Sequence, residues 1–499
     1  MTQAVVERSA YGLYIGGKWV KSNGNNTLPV INPANGETWA TIVDATTQDV
    51  DAAVKAARAA FDGEWGKTSP AKRARLLNKL ADVIESRAAE MARIEVRDNG
   101  KLLREMGAQL RAAPGWYRYF AGLADKIHGE TVPMERTSLF NYTLREPLGV
   151  IACITPWNSP LLLMTFKVAP ALAAGNTVVI KPSEHASAST LEIVACFEEA
   201  GFPPGVFNVV TGGGAIAGDA LVRHPGVDRV SFTGSGAAGA RVAAAAVSHF
   251  AEVGLELGGK SANIIFADAD LDAAAPGLLS GIFAATGQTC IAGSRALVQR
   301  PVYDELLRRI LERTKAIKIG DPMADETEMG PVANAPQHKK IEEYVKIARD
   351  EGAQVVHGGN RPQSDELKAG LYFEPTILTG VTPQMRIARE EVFGPVLALI
   401  PFDEESEAIA IANATEFGLA AGVWTSNLGR AHRVARQLRA GTVWVNTYRA
   451  LSPNMPFGGY KSSGMGRENG IDAMRDVTQV KGVWIETEPS AVDPFSIRV

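Results

Sequence analysis

The sequence contains little cysteine. Its 499 residues include only Cys153, Cys196 and Cys290, which are too few and too far apart for a disulfide framework or a cysteine-based zinc site. We therefore expect no metal site, and the scarcity of cysteine favours a reducing, intracellular compartment.

Long apolar runs and an excess of one charge are also missing. The longest apolar region, residues 150–180, is broken by Pro156, Pro160 and Pro170, so it falls short of the about 18 apolar residues that a membrane span needs. The N-terminus lacks the apolar run of a signal peptide. With 51 Lys and Arg against 55 Asp and Glu, the chain has no basic excess for nucleic acid. We expect a cytoplasmic protein that binds neither nucleic acid nor membranes.

The length of 499 residues favours two or three domains, because single hydrophobic cores stop growing at a smaller size. Residues 48–127 carry apolar side chains at helical spacing, and Ser69 followed by Pro70 is typical of a helix start. From residue 148 short strands alternate with helices, and a second alternation begins near residue 261, which predicts two α/β domains built from parallel βαβ units. The predicted strands are 149–155, 177–181, 206–211, 229–233, 354–357 and 443–446, and the predicted helices are 187–200, 237–247 and 337–350.

Two further segments fit neither α/β domain. Residues 130–146 and 479–487 have the composition of strands, but neither has an obvious partner in its own domain. Exposed edge strands usually need a partner. We therefore expect both segments to pair between subunits of a homo-oligomer.

A glycine-rich turn follows the strand predicted at 229–233. Gly234, Gly236 and Gly239 form a G-x-G-x-x-G pattern at the start of a helix, which is typical of a dinucleotide-binding turn. By spacing alone, Glu256 would be the acid that binds the ribose. The alternative is a turn whose small residues are needed only for close packing.

Cys290 lies between Gly287 and Gly293. A cysteine in such an open turn is a candidate nucleophile, because a reactive thiolate needs a polar and accessible setting. The alternative is a small residue that fills a tight turn. Cys153 and Cys196 lie inside apolar runs and are expected to be inert core residues.

Asn158 follows the strand predicted at 149–155, where open α/β sheets place their ligands. Its side-chain amide could donate a hydrogen bond to an oxyanion that forms during a reaction. The alternative is a turn bracketed by Pro156 and Pro160, in which Asn158 caps its own backbone.

Taken together, these motifs resemble the signature blocks of the aldehyde dehydrogenase superfamily, in that family's order and over nearly the whole chain. The resemblance implies a hydrolytic, NAD(P)-dependent oxidation of an aldehyde to its carboxylic acid. It also implies three structural parts. A Rossmann-like cofactor domain comprises residues 1–128 and 148–257, and a second α/β domain, the catalytic one, comprises residues 258–477. A small oligomerisation segment comprises residues 129–147 and 478–499. The matching blocks are residues 155–160, 179–184, 232–235, 256–260, 287–295, 390–395 and 456–464.

The resemblance also implies catalytic roles. Cys290 matches the family's nucleophile, and the Asn158 amide with the Cys290 backbone N–H matches the donors to the oxyanion. Glu256 matches the general base, which replaces the ribose contact suggested by spacing. Lys167 and Glu468 match positions that pass the proton onward.

In this comparison Glu184 matches the acidic residue that binds the adenosine ribose. A carboxylate there would lie near the extra phosphate of NADP and would repel it. NAD is therefore the expected cofactor, with NADP as a weaker alternative. The implied cofactor contacts are Trp157, Lys181, Glu184, Gly214, Gly234, Ser235, Gly239, Leu257, Glu391 and Phe393.

The same comparison places eight residues around the aldehyde's tail. Ala284 and Leu451 stand where many relatives carry aromatic rings, which predicts a roomy and mainly apolar pocket. The eight are Ser159, Leu163, Phe166, Ala284, Thr289, Ile291, Arg449 and Leu451.

Two alternatives to a hydrolytic dehydrogenase stay open. One is a CoA-acylating relative, against which Glu256 argues because such enzymes generally lack that base. The other is a non-catalytic structural protein, against which the joint presence of Cys290, Glu256 and Asn158 argues. Relatives pair the segments 130–146 and 479–487 between subunits, so a homo-oligomer is expected, a tetramer more than a dimer.

Overall fold

The structure is a computed structural model, and it describes residues 9–489 and Phe495. Residues 1–8 of the predicted cofactor domain, and 490–494 and 496–499 of the predicted oligomerisation segment, lie outside the described residues. The described helices are α1 (Thr47–Ala60), α2 (Pro70–Asn99), α3 (Leu103–Leu123), α4 (Pro160–Ala174), α5 (Ala188–Glu192), α6 (Val194–Ala200), α7 (Asp219–Val222), α8 (Gly236–Val247), α9 (Leu271–Phe283), α10 (Tyr303–Lys315), α11 (Ala335–Asp350), α12 (Arg386–Arg389), α13 (Glu405–Asn413), α14 (Leu428–Gln437) and α15 (Gly470–Asp476).

Strands alternate with these helices along most of the chain. In the described part they are β1 (Ala10–Tyr11), β2 (Leu13–Ile15), β3 (Lys18–Val20), β4 (Thr27–Ile31), β5 (Thr38–Val43), β6 (Thr131–Val132), β7 (Leu139–Pro147), β8 (Val150–Thr155), β9 (Thr177–Pro182), β10 (Phe207–Val209), β11 (Arg229–Thr233), β12 (Glu252–Glu256), β13 (Ala262–Ile265), β14 (Arg295–Gln299), β15 (Gln354–His357), β16 (Thr376–Thr379), β17 (Val396–Phe402), β18 (Phe417–Gly418), β19 (Ala420–Trp424), β20 (Thr442–Val445), β21 (Tyr460–Lys461), β22 (Gly464–Met465) and β23 (Thr478–Glu486).

The first large sheet has the strand order β22-β12-β11-β8-β9-β10-β2-β3. Its five middle strands run parallel, and every residue of β8 and β9 is buried. Such uninterrupted burial is typical of a parallel strand that helices cover on both faces. The carboxyl ends of β8, β9, β11 and β12 therefore meet at one edge of the sheet, where ligands bind in open α/β folds.

The second large sheet has the order β15-β16-β17-β14-β13-β19-β20. All its strands are parallel except β15, which pairs antiparallel with β16. Helices again supply the apolar layers on this sheet. The α/β fold expected from the sequence is therefore confirmed, with two separate parallel sheets.

The segments predicted to pair between subunits pair with each other within the chain. β7 and β23 run antiparallel from Pro147 opposite Thr478 to Leu139 opposite Glu486, and β6 adds a third strand to β7. Neither segment has an obvious partner in the sequence of its own domain, because the tertiary fold brings together residues more than 300 positions apart. Pairing between subunits stays a prediction. Apolar side chains nevertheless stay exposed on this sheet, including Trp484 at 64% and Phe140 at 49%.

Local boundaries mostly follow the predictions. β11 and β15 have the predicted bounds, and Ser69 caps α2, accepting from the Lys72 N–H with Pro70 in the first turn. The predicted helix 187–200 is two helices, α5 and α6, and the predicted strand 206–211 shortens to β10. β22 comes from the predicted catalytic domain, but it is an edge strand of the first sheet.

Candidate active site

Cys290 lies in the loop between α9 and β14, where its side chain keeps some exposure. Burial by the surrounding protein raises the pKa of its thiol to about 12, and the carboxylates of Glu256 and Glu391 act in the same direction. The charge of Lys101 opposes them. Cys290 therefore rests as a thiol, and attack on a substrate requires that its proton be removed.

The backbone just before Cys290 is strained. Ala285, Thr286 and Gly287 all have positive φ, at 55°, 56° and 69°, a conformation that costs energy for the two residues with a Cβ. A Glu105 carboxylate oxygen accepts a hydrogen bond from the Ala285 N–H at 2.8 Å, and the Thr286 hydroxyl donates to the Gly330 carbonyl at 3.0 Å. These bonds hold the loop in a conformation that it would not keep alone.

Asn158 follows β8 and reaches the same loop. Its Nδ2 donates to the Gln288 carbonyl at 2.9 Å, two residues before Cys290, so it does not cap its own backbone in the described structure. Asn158 and Cys290 line one cavity of about 130 Å³. The amide has a second N–H, which is the donor that an oxyanion on Cys290 would require.

The cavity that contains Cys290 also contains most of the expected nicotinamide contacts. Trp157 and Phe393 meet edge to face with ring centroids 5.4 Å apart. Glu391 accepts a hydrogen bond from the Gly259 N–H at 2.8 Å, and a Cβ on Gly258 would collide with its carboxylate. The other predicted contacts in this cavity are Gly234, Ser235 and Leu257.

The turn between β11 and α8 has the features that a pyrophosphate needs. Ser235 caps the first turn of α8 by accepting from the Ala238 N–H. Gly239 packs so closely on Leu257 that a Cβ would meet Leu257 Cδ2 at 2.5 Å. A free helix N-terminus and small residues that let the backbone approach are the features that bind dinucleotides. This cradle fits NAD.

The expected adenosine-ribose contacts meet at the end of β9. Lys181 Nζ lies 3.7 Å from Glu184 Oε2, and Lys181 is 2% exposed. Burial opposes the ionisation of Glu184, but the charge of Lys181 and a hydrogen bond from the Gly214 backbone lower its pKa overall. Glu184 therefore stays a carboxylate, as a hydrogen-bond acceptor for ribose hydroxyls must.

Glu256, Lys167 and Glu468 come together around one cavity. Lys167 and Glu468 form a buried ion pair, and Lys167 Nζ donates to the Ser231 hydroxyl at 3.2 Å. Burial, and then the charge of Glu468, raise the pKa of Glu256 well above its usual range. One carboxylate oxygen of Glu256 and one of Glu468 have no hydrogen-bond partner, and a cavity of about 30 Å³ lies between them. Such a cavity is large enough for a water molecule.

The eight residues expected around the aldehyde's tail divide into two groups. Five lie either close to Cys290 in the sequence or on a segment that is hydrogen-bonded to that part of the chain. These five are Ser159, Ala284, Thr289, Ile291 and Arg449. The other three lie elsewhere: Leu163 lines the cavity shared with the cofactor contacts, Phe166 stacks on Trp116 and lines the cavity beside Glu256, and Leu451 is 37% exposed.

The pocket that the sequence predicted as mainly apolar has charged and polar residues beside it, of which Lys101 is buried. Lys101, just before α3, donates to Ser159, and Glu105, in the first turn of α3, accepts from the Ala285 N–H. Gln337 on α11 donates to the Phe393 carbonyl at 3.0 Å, and Lys340 lies one turn further along. The sequence carried no signal for these residues, because each looks like an ordinary charged or polar residue of a helix.

The comparisons with known proteins agree with this geometry. The sequence profile of the "Aldehyde dehydrogenase family" matches residues 19–483. The chain is 45% identical over 98% of its length to (Z)-2-((N-methylformamido)methylene)-5-hydroxybutyrolactone dehydrogenase of Acinetobacter baylyi, covering 99% of that protein. It is 43% identical over 97% of its length to betaine aldehyde dehydrogenase of Bacillus subtilis, again covering 99% of the relative.

A solved structure is also similar to this chain over nearly its whole length. Betaine aldehyde dehydrogenase of Staphylococcus aureus, crystallised in complex with NAD+, superposes with a TM-score of 0.96 and 42% sequence identity. The match covers 97% of each chain. At this level of identity and coverage, the likeness extends to the whole architecture rather than to one domain.

Proposed function

Because the chain belongs to the aldehyde dehydrogenase family, and oxidises aldehydes with NAD as its cofactor, we propose that Cys290 is the nucleophile of that reaction. The observation that carries the proposal is the meeting of Cys290, Asn158 and the nicotinamide-side residues in one cavity. When bound, NAD supplies the acceptor for the hydride that leaves the substrate carbon. Trp157, Phe393 and Glu391 would hold its nicotinamide end.

The first half of the reaction forms a covalent intermediate. The Cys290 sulfur attacks the aldehyde carbon after losing its proton, and the oxygen becomes an oxyanion. The free N–H of Asn158 and the backbone N–H of Cys290 stabilise this charge. Collapse of the thiohemiacetal then releases the hydride of that carbon, for which bound NAD would be the acceptor, and leaves a thioester on Cys290.

The second half hydrolyses that thioester. Glu256 takes a proton from a water molecule, which attacks the thioester and releases the carboxylic acid. A general base works best when its pKa is near the working pH, and burial raises the pKa of Glu256 in that direction. The ion pair of Lys167 and Glu468 lies beside it and would pass the proton onward.

We further propose the finer assignments that rest on the sequence. The enzyme prefers NAD to NADP through Glu184, acts in the cytoplasm, and forms a homo-oligomer, a tetramer more than a dimer. The exposed apolar side chains on the sheet β6-β7-β23 support an interface between copies.

The test is the absorbance of reduced nicotinamide with a panel of aldehydes, with and without CoA. We expect turnover without CoA and release of a free acid, because the proposed role of Glu256 is to activate water. A strict requirement for CoA would instead identify an acylating enzyme. The absence of turnover with every aldehyde, despite NAD binding, would identify a non-catalytic protein.

A further inference from the structure

We propose that the aldehyde carries an anionic group, a carboxylate, at the end of its tail, and that Lys101 and Arg449 bind this group. The inference deepens the proposed function and rests on it. It is carried by two cations close to the nucleophile loop that have too few partners of their own.

Lys101 is a buried ammonium with a single hydrogen-bond acceptor. It is 1% exposed, and its Nζ donates to the Ser159 hydroxyl at 2.8 Å. No carboxylate of residues 9–489 lies within 4.0 Å of that nitrogen. A buried charge without a counterion is costly, and an ammonium can donate three hydrogen bonds. Lys101 is therefore left with donors that an anionic ligand would satisfy.

Arg449 is the second cation, in the loop after β20. Its Nη1 donates to the Ser280 carbonyl at 3.1 Å, and no carboxylate of the described chain lies within 4.0 Å of the guanidinium. Arg449 has a φ of 64°, an unfavourable conformation that the surrounding structure must hold. The remaining guanidinium donors have the planar arrangement that binds a carboxylate at two points.

Both cations are tied to segments that frame Cys290. Ser159, the partner of Lys101, directly follows Asn158, whose amide bonds to the nucleophile loop. Ser280, the partner of Arg449, lies on α9, the helix that leads into that loop. Tyr448, the residue before Arg449, donates its hydroxyl to the Ile291 carbonyl at 2.9 Å. Lys101 and Arg449 are therefore each hydrogen-bonded to a segment that frames Cys290.

The carboxylate of Glu105 interacts with both Lys101 and Arg449 and offsets only one of these two positive charges. Glu105 uses one oxygen to hold the Ala285 N–H. Burial raises the pKa of Glu95 to about 8, so Glu95 is largely neutral at pH 7. The pKa of Lys101 is lowered by burial to about 8, which still leaves most of it charged at pH 7. The group keeps a net positive charge, which attracts a carboxylate and repels a quaternary ammonium.

The first experiment compares aldehydes of equal chain length. Values of kcat/KM are measured at pH 7 with saturating NAD for ω-oxo acids of four to six carbons, for the matching n-alkanals, and for 4-(trimethylammonio)butanal. At the best chain length we expect the oxo acid to exceed the alkanal by about tenfold or more, and the cationic aldehyde to be the poorest.

The second experiment uses Arg449→Leu and Lys101→Met, with the ratio of oxo acid to alkanal as its readout. This ratio cancels any effect that a variant has on folding or on the thiol. We expect each variant to lower the ratio about tenfold, through KM of the oxo acid, and Arg449→Glu to favour the cationic aldehyde. Arg308→Leu and Lys346→Met, both exposed on other helices, are the matched controls and should leave the ratio unchanged.

Two results would overturn the inference. One is a wild type whose kcat/KM values for oxo acids and for alkanals differ by less than about threefold. The other is an Arg449→Leu variant whose ratio of oxo acid to alkanal kcat/KM is the same as that of the wild type. In both cases turnover of alkanals leaves the proposed function intact. If no aldehyde is oxidised at all, the proposed function fails and this inference fails with it.

Discussion

Gly239 on α8 lies directly against Leu257, and a Cβ on the glycine would meet Leu257 Cδ2 at 2.5 Å. This approach presses the start of α8 onto the end of β12, at the carboxyl edge of the first sheet. The distance between the helix N-terminus and the strands depends on it, and so does the width of the cradle for the cofactor.

Gly239→Ala is therefore expected to weaken NAD binding by about tenfold, because Leu257 or the helix must move. The dissociation constant is measured by fluorescence titration with NAD. Gly236→Ala is the matched control in the same turn, since nothing lies within 4 Å of the added Cβ. Equal affinities for the two variants would contradict this account of the cradle.

Cys290→Ala is expected to lower the turnover rate by more than about a thousandfold while NAD still binds, because no other thiol at this site can form the covalent intermediate. Cys153→Ala is the control, since Cys153 is fully buried in β8. Steady-state rates and NAD titrations are measured for both. A Cys290→Ala variant above a thousandth of the wild-type rate would rule out the covalent mechanism.

Glu256→Gln is expected to keep a rapid burst of reduced nicotinamide and lose steady turnover, because acyl-enzyme accumulates. In the wild type kcat should fall as the pH drops through the raised pKa of Glu256, since only the carboxylate accepts a proton. The residual rate of Glu256→Gln should not show this decrease at low pH. Loss of the burst together with turnover would assign Glu256 to the activation of Cys290 instead.

Glu184→Ser is expected to lower the ratio of kcat/KM for NAD to kcat/KM for NADP, which in the wild type should be about ten to a thousand. Lys181 lies 3.7 Å from this carboxylate, and once released it would attract the extra phosphate of NADP. The measurement is kcat/KM for both cofactors at one saturating aldehyde. An unchanged ratio in Glu184→Ser, or a wild type that favours NADP, would show that Glu184 does not set the choice.

Light scattering is expected to give a tetramer or a dimer of the 53.1 kDa chain. Trp484→Glu should shift this mass towards the monomer, because Trp484 is 64% exposed on β23. Leu428→Glu, at a site 72% exposed on α14, is the control. A wild type that scatters as a monomer would contradict the proposed assembly.

The sequence by itself determined those elements whose signals are local. β11 and β15 have their predicted bounds, and Ser69 with Pro70 begins α2 as predicted, because turn chemistry and periodicity act over a few residues. The position of Cys290 between glycines was readable in the same way. The roles of Glu256 and Glu184 required the resemblance to a family, since spacing alone assigned Glu256 to the ribose.

Only the tertiary structure decided which distant groups meet. It pairs β7 with β23, joins Lys167 to Glu468 across 301 positions, and buries Lys101 next to Ser159. Whether a lysine is a solvated surface group or a buried cation depends on the elements that pack around it, and local sequence does not encode that packing. The free energy of burying the charge is likewise a property of the assembled interior. For this reason the buried charge of Lys101 near Cys290 was visible only in the fold.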